Sequence, residues 1–253
     1  MITLFGHGYI GKAIGKYLDD IGQSFYWYGH NTQQIILGSV IINASGYTGK
    51  PNVDACETHK YECIDGNIIW PLKLETHHVH SPIIHISSGC VYNGYKNGGW
   101  TEEDPPNFTG SFYSLTKVIE QENINLKENY LLRIRMPFEK NDHPKNYLTK
   151  LKNYSKLIDA ENSLSYVEDV VKVALFFAEN LPEPGIYNVC NPGVVTTKQI
   201  VDMMGLKGKE WFTMDEFNST VLAPRSFCTL NMDKLKKIYP MPSVEERLAY
   251  CIA

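Results

Sequence analysis

Apolar residues follow two alternating rhythms along the chain. Short runs rich in β-branched and aromatic residues predict strands at ITLFG (2–6), SFYWYG (24–29), SVIINAS (39–45), PIIHISS (82–88), YLLRIRMP (130–137) and GIYNVCN (185–191). Helical spacing fills the intervals between them. Ile10, Ala13, Ile14, Tyr17, Leu18 and Ile21 share one face of a helix that Gly22 stops. Ser165 and Glu168 read as a capping box opening another helix, with Val167, Val170, Val171, Ala174, Leu175 and Ala178 on its apolar face. Strands alternating with helices predict an α/β protein with a Rossmann-type, doubly wound parallel sheet. Pro137, Pro144, Pro182, Pro184-Gly185 and Pro192-Gly193 mark the joints. The alternation covers 1–137 and 166–191, the expected nucleotide-binding core. The remaining stretches, 138–165 and 192–253, are expected to form a small, mostly C-terminal substrate-binding lobe.

Composition narrows the partners. The 253 residues suffice for one large domain with a small lobe. A net charge of −4 without any basic run argues against nucleic acid. No apolar stretch reaches the 18 residues or so that a membrane helix needs. MITLFGHG enters a strand at once, without a cleavable leader, so a cytoplasmic location is expected. Cysteines 56, 63, 90, 190, 228 and 251 form no C-x-x-C pair and read as free thiols in a reducing compartment. HHVH at 77–80 has no partner pair at zinc spacing, so it reads as a helix end, and no metal site is expected.

Gly6-His7-Gly8-Tyr9-Ile10-Gly11 is a G-x-G-x-x-G between a strand and a helix. Gly6 allows a tight turn, Gly8 lets backbone approach a pyrophosphate, and Gly11 lets helix and strand pack closely. Tyr9 and Ile10 open the helix whose N-terminus would receive the phosphates. An NAD site wants an acid about 20 residues on, facing the ribose hydroxyls. None occurs between Asp20 and Asp54, and the second strand ends Gly29-His30-Asn31. That favours NADPH, although no Arg or Lys stands at that strand end. Ala44-Ser45-Gly46 follows the third strand and either lines the cofactor or is an ordinary small-residue turn.

Tyr113-Ser114-Leu115-Thr116-Lys117 is a Y-x-x-x-K, which on a helix puts phenol and ammonium on one face. A neighbouring positive charge is expected to lower the tyrosine pKa toward acid–base work near neutrality. The order of glycine fingerprint, hydroxyl-bearing strand end (Ser87-Ser88), Y-x-x-x-K and further sheet resembles the extended short-chain dehydrogenase/reductases over nearly the whole chain. Two residues after Ser88 comes Cys90, which on its own reads as a small buried hydrophobe. Lys150 on its own reads as a solvated lysine, and Asp54 and Glu57 as charges at a helix N-terminus.

Longer stretches sharpen the resemblance: NASGYTGKPNVDACETHK (43–60), EEDPPNFTGSFYSLTK (102–117), LRIRMP (132–137), KNYLTK (145–150), NPGVV (191–195) and APRS (223–226). They are similar to the nucleotide-rhamnose synthase/epimerase-reductases of plants and giant DNA viruses, relatives of dTDP-4-dehydrorhamnose reductase. The loop Asn93–Gly99 is shorter than in the plant pattern. The resemblance implies conversion of UDP-4-keto-6-deoxy-D-glucose to UDP-L-rhamnose by 3,5-epimerisation and NADPH-dependent 4-reduction. It makes Ser88, Tyr113 and Lys117 the reductase triad, and Cys90 and Lys150 the epimerisation acid/base pair. It gives Asn146 and Arg225 to the nucleotide diphosphate, a surface ion pair being the other reading of Arg225. It also implies a homodimer and a separate 4,6-dehydratase supplying the substrate. Two alternatives stand beside it. One is a single-activity reductase, against which Cys90 and Lys150 speak. The other is a non-catalytic NADP-binding regulatory subunit, such as that of methionine adenosyltransferase.

Overall fold

A computed structural model of the chain describes all residues except 31, 33, 34, 37 and 78–80. Asn31 and the segment 78–80 of the HHVH run thus lie outside the described residues. Six strands, β1 (Ile2–Phe5), β2 (Phe25–Tyr28), β3 (Val40–Asn43), β4 (Ile83–Ser88), β5 (Tyr130–Ile134) and β6 (Gly185–Asn188), form one sheet in the order β6-β5-β4-β3-β1-β2. Every pairing is parallel. Strand order reverses between β1 and β3, which opens a crevice beyond their C-terminal ends, the place where such sheets bind ligands.

The helices that cover the sheet are α1 (Tyr9–Asp20), a helical run over 55–77, α2 (Phe112–Asn123) and α4 (Val167–Asn180); α3 (Tyr147–Asn153) belongs to the lobe. The first helix buries Ile14 and Leu18 with Gly11 and Gly15, while Ile21 falls at its end and stays exposed. Gly22 does stop it, at φ +69°. α4 is apolar over more than one stripe, adding Val173 and Phe177 to the expected face, because the sheet covers one side of it and α1 another.

Two expectations need correction here. Ser165 does not cap α4. It lies in a short strand, Ser165–Tyr166, where its hydroxyl donates to the Val189 carbonyl at 2.7 Å and accepts from the Arg135 amide at 2.9 Å. Glu168 pairs with Lys172 instead. The strand expected over 130–137 also breaks: Met136 takes φ +40°, and Pro137–Phe138 leaves the sheet to pair with Ser165–Tyr166. That turn hands the chain from sheet to lobe. Phe138, Leu148, Leu151, Leu164, Ile200 and Leu248 belong to a hydrophobic cluster separate from the one on the main sheet.

Candidate active site

The crevice beside β1 is shaped by bare backbone. Gly6 has φ +110°, and a Cβ there would run into the Ala44 carbonyl. A Cβ on Gly11 would strike the carbonyl of Gly6, so helix and strand pack only because both are glycine. Trp27 anchors this turn by donating its indole N–H to the Gly6 carbonyl at 2.9 Å. At Gly8, by contrast, nothing lies within 4 Å of where a Cβ would stand. Gly8 is the N-cap of α1 and supplies no side-chain cap, so the first-turn N–H groups are left for a ligand. This open, positively polarised cradle fits a dinucleotide pyrophosphate. Tyr9 stacks flat on His143 of the lobe, ring centres 4.3 Å apart, bringing lobe and glycine turn together.

The second turn, Ala44-Ser45-Gly46, is held by Asn43, whose Oδ1 accepts from the Ser45 amide at 3.2 Å and the Ser45 hydroxyl at 2.5 Å. A Cβ on Gly46 would stand 3.2 Å from both Lys117 Nζ and Asn67 Oδ1, so the lysine comes up directly against this segment. At the end of β2, His30 sits 3.4 Å from Asp65 and edge-on to Trp70, and burial lowers its pKa.

Opposite lies the chemical half of the site. Ser88 ends β4; its hydroxyl accepts from the Cys90 amide at 3.1 Å and is close enough to the Tyr113 phenol to act on its pKa. Ser111 caps α2 by accepting from the Ser114 amide, which sets Tyr113 and Lys117 on the buried face. The expected lowering of the tyrosine pKa does not occur. Burial, with Cys90 adding to it, pushes the phenol well above its ordinary value against the opposing influence of Ser88. Burial is the main reason, and Glu120, one turn beyond Lys117, adds to it while pairing with the lysine that was expected to oppose it. Its carboxylate oxygens lie 2.9 and 3.1 Å from Lys117 Nζ, both side chains are 2% exposed, and Ser87 donates to the same carboxylate at 2.6 Å. The charge of Lys117 is thus directed at Glu120 rather than at Tyr113, and the phenol, its pKa raised, is a proton donor.

Cys90 is half-buried and packs with Tyr113, Cys56 and Cys63. Its sulfur accepts from Arg135 Nη1 at 3.4 Å. Lys150, on α3, is half-buried rather than solvated; burial and the charge of Arg225 lower its pKa, and among the described residues no carboxylate pairs with it.

Asn146 and Arg225 are engaged within the protein. Asn146 is the N-cap of α3: Oδ1 accepts from the Leu148 amide at 3.0 Å, and Nδ2 donates to the carbonyls of Glu139 and Asn141. The structure gives it a capping role. Arg225 makes two 2.8 Å bonds to the Asp54 carboxylate. Asp54 and Glu57 do stand at a helix N-terminus, as N-cap and first-turn residue of the short helix Ala55–Thr58, and each also reaches across the fold: Asp54 to Arg225 of the lobe, Glu57 to the Phe112 amide at the start of α2.

Sequence reading missed Glu120, Asn67 and Arg135. Glu120 was findable, three residues after Lys117 on the same helix. Asn67, buried and bonded to Tyr47, Cys63 and Thr116, carries no local signal. Among the described residues no cluster of His, Cys, Asp and Glu is placed to hold a metal, and no helix is long and apolar enough to cross a membrane.

Comparison with known proteins follows the same lines. A bifunctional dTDP-4-dehydrorhamnose 3,5-epimerase/dTDP-4-dehydrorhamnose reductase of Arabidopsis thaliana is 36% identical over 269 residues, covering 95% of this chain and 88% of the relative. A trifunctional UDP-glucose 4,6-dehydratase/UDP-4-keto-6-deoxy-D-glucose 3,5-epimerase/UDP-4-keto-L-rhamnose-reductase of the same plant is 34% identical, but the match takes in only 40% of its length. The L780 UDP-rhamnose synthase of Acanthamoeba polyphaga mimivirus superposes with a TM-score of 0.90 at 25% identity, covering 100% of this chain and 98% of that one. The model of the RmlD substrate binding domain matches residues 30–249, and with that span the chain belongs to the RmlD substrate-binding-domain family.

Proposed function

We propose that the protein converts UDP-4-keto-6-deoxy-D-glucose to UDP-L-rhamnose, inverting C3 and C5 and reducing C4. The observation that carries this reading is that a thiol, Cys90, lies against both hydroxyls: it packs with Tyr113, and its amide donates to the Ser88 hydroxyl at 3.1 Å. In the substrate, C3 and C5 both flank the C4 carbonyl, so either proton can leave if the enolate oxygen is held. Ser88 and Tyr113 hold it by hydrogen bonds. Cys90 and Lys150 are the proton-transfer groups, one on the sheet and one on the lobe, which suits exchange at different faces of the ring. Burial and the charge of Arg225 lower the Lys150 pKa, which makes it a readier proton-transfer group than a solvated lysine.

NADPH, when bound, supplies hydride to C4. Tyr113 then gives its proton to the C4 oxygen, and its high pKa in the buried site keeps that proton in place until the alkoxide forms. Gly6, Gly8, Tyr9, Ile10 and Gly11 would cradle the pyrophosphate of the cofactor, and Ala44, Ser45, Gly46, Tyr113 and Lys117 would line the rest of its site. A 2′-phosphate would be tolerated because no Asp or Glu occurs between Asp20 and Asp54, so the second strand carries no carboxylate at its end to repel it. Arg225 meets the substrate diphosphate.

Residues 1–137 with 166–191 act as the cofactor-binding core, and 138–165 with 192–253 as the substrate lobe. A sugar-nucleotide 4,6-dehydratase must provide the 4-keto-6-deoxy substrate. The enzyme works as a homodimer, and its six free thiols suit the reducing cytoplasm. The decisive experiment incubates purified protein with NADPH and either UDP- or dTDP-4-keto-6-deoxy-D-glucose and identifies products by NMR. A rhamnose product is expected, with the UDP sugar preferred. A 6-deoxy sugar reduced without inversion, or no product at all, overturns the reading.

A further inference from the structure

Arg135 stands one residue past β5, where the chain crosses into the lobe, and is 2% exposed. A cation at that depth ordinarily has a carboxylate beside it. Among the described residues Arg135 pairs with none. Nε and Nη2 donate to Asn162 Oδ1 at 3.2 and 2.6 Å, Nη2 also to the Ser226 carbonyl at 2.5 Å, and Nη1 to Cys90 Sγ at 3.4 Å. All the oxygens in this set are neutral. The only group in it that can become an anion is the sulfur.

Arg133, two residues earlier and equally buried, gives the contrast. It bonds Gln121 and the Tyr92 hydroxyl, and burial lowers its pKa. Burial works against Arg135 in the same way, yet its pKa is raised, because Cys228, Cys90 and Cys190 surround it. Two of these three are closed to the pocket. Cys190 is fully buried, with its pKa pushed up to about 12 by burial, and Cys228 is likewise buried and raised. Cys90 is half-exposed and packs beside Tyr113.

We propose that Arg135 is a positioning residue for Cys90: its guanidinium, which has no carboxylate of its own, holds the sulfur and stabilises the negative charge that the sulfur carries as a thiolate. What the thiolate does there rests on the proposed epimerase reading. The sulfur takes the proton of a carbon next to C4, so that S–H forms as C–H breaks. The electron pair passes to the C4 oxygen held by Ser88 and Tyr113. One negative charge moves from sulfur to oxygen inside the pocket, and the net charge of the site does not change.

The test reads the sulfur directly. Alkylation of Cys90 by iodoacetamide at pH 7.5 is followed by peptide mass spectrometry in the parent, Arg135→Met and Arg135→Lys proteins, with NADPH binding as the check of folding. Arg135→Met should slow Cys90 alkylation by about tenfold or more, the lower end of what an opposite charge at bonding distance does to a thiol–thiolate balance. Arg135→Lys should restore most of the rate, which a purely structural arginine would not predict. Deuterium wash-in at the sugar should fall in step with alkylation, while reduction of an already epimerised 4-keto sugar persists. A folded Arg135→Met protein alkylated at the parental rate overturns the proposal. Should that variant fail to fold, Cys90→Asp is compared with Cys90→Asn. The aspartate should melt several degrees higher because it supplies the missing anion, and equal or lower melting overturns the proposal. If the parent exchanges no deuterium with either keto sugar while the arginine still governs alkylation, the epimerase reading fails and this pairing stands.

Discussion

Replacing Glu120 by glutamine removes one charge and almost no volume from the most buried ion pair of the site. Lys117 and Glu120 are each 2% exposed, and the carboxylate takes two bonds from the ammonium and one from Ser87. Removing one partner of a buried pair costs about 3–5 kcal/mol, because the other charge is left uncompensated. Glutamine keeps one carbonyl oxygen, which in place of Oε2 can still accept from both Ser87 and Lys117, so the lower end applies. For a chain of this size about 3 kcal/mol corresponds to a fall of roughly 6–12 °C in melting temperature. Differential scanning fluorimetry on Glu120→Gln reads it directly. The double variant Lys117→Met/Glu120→Met should recover much of the loss, since no lone charge remains. The same substitution should also move the pH profile of reduction. Glu120 is one of the groups raising the Tyr113 pKa, behind burial and Cys90. With its charge gone, the folded-state pKa of the phenol falls, so the alkaline limb, where the proton donor is lost, moves to lower pH. An unchanged melting temperature together with an unchanged alkaline limb would refute the reasoning.

Gly8→Ala should fold as the parent does, because its Cβ meets nothing, yet weaken NADPH binding about tenfold or more in a fluorescence titration; Gly6→Ala should instead unfold, since its Cβ meets the Ala44 carbonyl at a positive φ. Tyr113→Phe should lower kcat for C4 reduction by about 10²–10⁴ with NADPH binding retained, and parental turnover would remove it from the mechanism. In D₂O without NADPH, the parent should wash deuterium into C3 and C5 of the keto sugar. Cys90→Ala should lose exchange at one or both carbons, and full exchange in the folded variant would clear the thiol of any role. NADPH should be preferred to NADH in kcat/KM, and Asn31→Asp should shift that ratio toward NADH.

The strands and the glycine turn were legible in the sequence because their causes are local. Hydrophobic runs between turn residues give all six strands of the main sheet to within a few residues, and G-x-G-x-x-G marks both the turn and the start of α1. What sequence could not supply was the destination of polar side chains across the fold. Ser165 has the spacing of a capping box, but its hydroxyl is claimed by Val189 and Arg135, partners that arrive only when β5 and β6 lie side by side. Lys117 has the spacing to act on Tyr113, but Glu120 takes it first. Arg225 reads as a phosphate ligand, and its carboxylate partner lies 171 residues away. Each of these outcomes is a competition for hydrogen bonds between groups distant in sequence, and periodicity is silent about such competitions.

The Asp54–Arg225 pair changes what it means for the cleft to recognise an anion. Arg225 is already occupied, with both terminal nitrogens bonded to one carboxylate. A diphosphate taking that arginine enters as a competitor, and its affinity is the difference between two guanidinium–anion pairs. A singly charged ligand gains little by such a trade, whereas a doubly charged one gains the second charge. The displaced Asp54 remains tethered beside the occupied arginine, so the exchange is easily reversed. Selectivity for dianions at entry and rapid release afterwards would then come from the same carboxylate, acting as a built-in leaving partner.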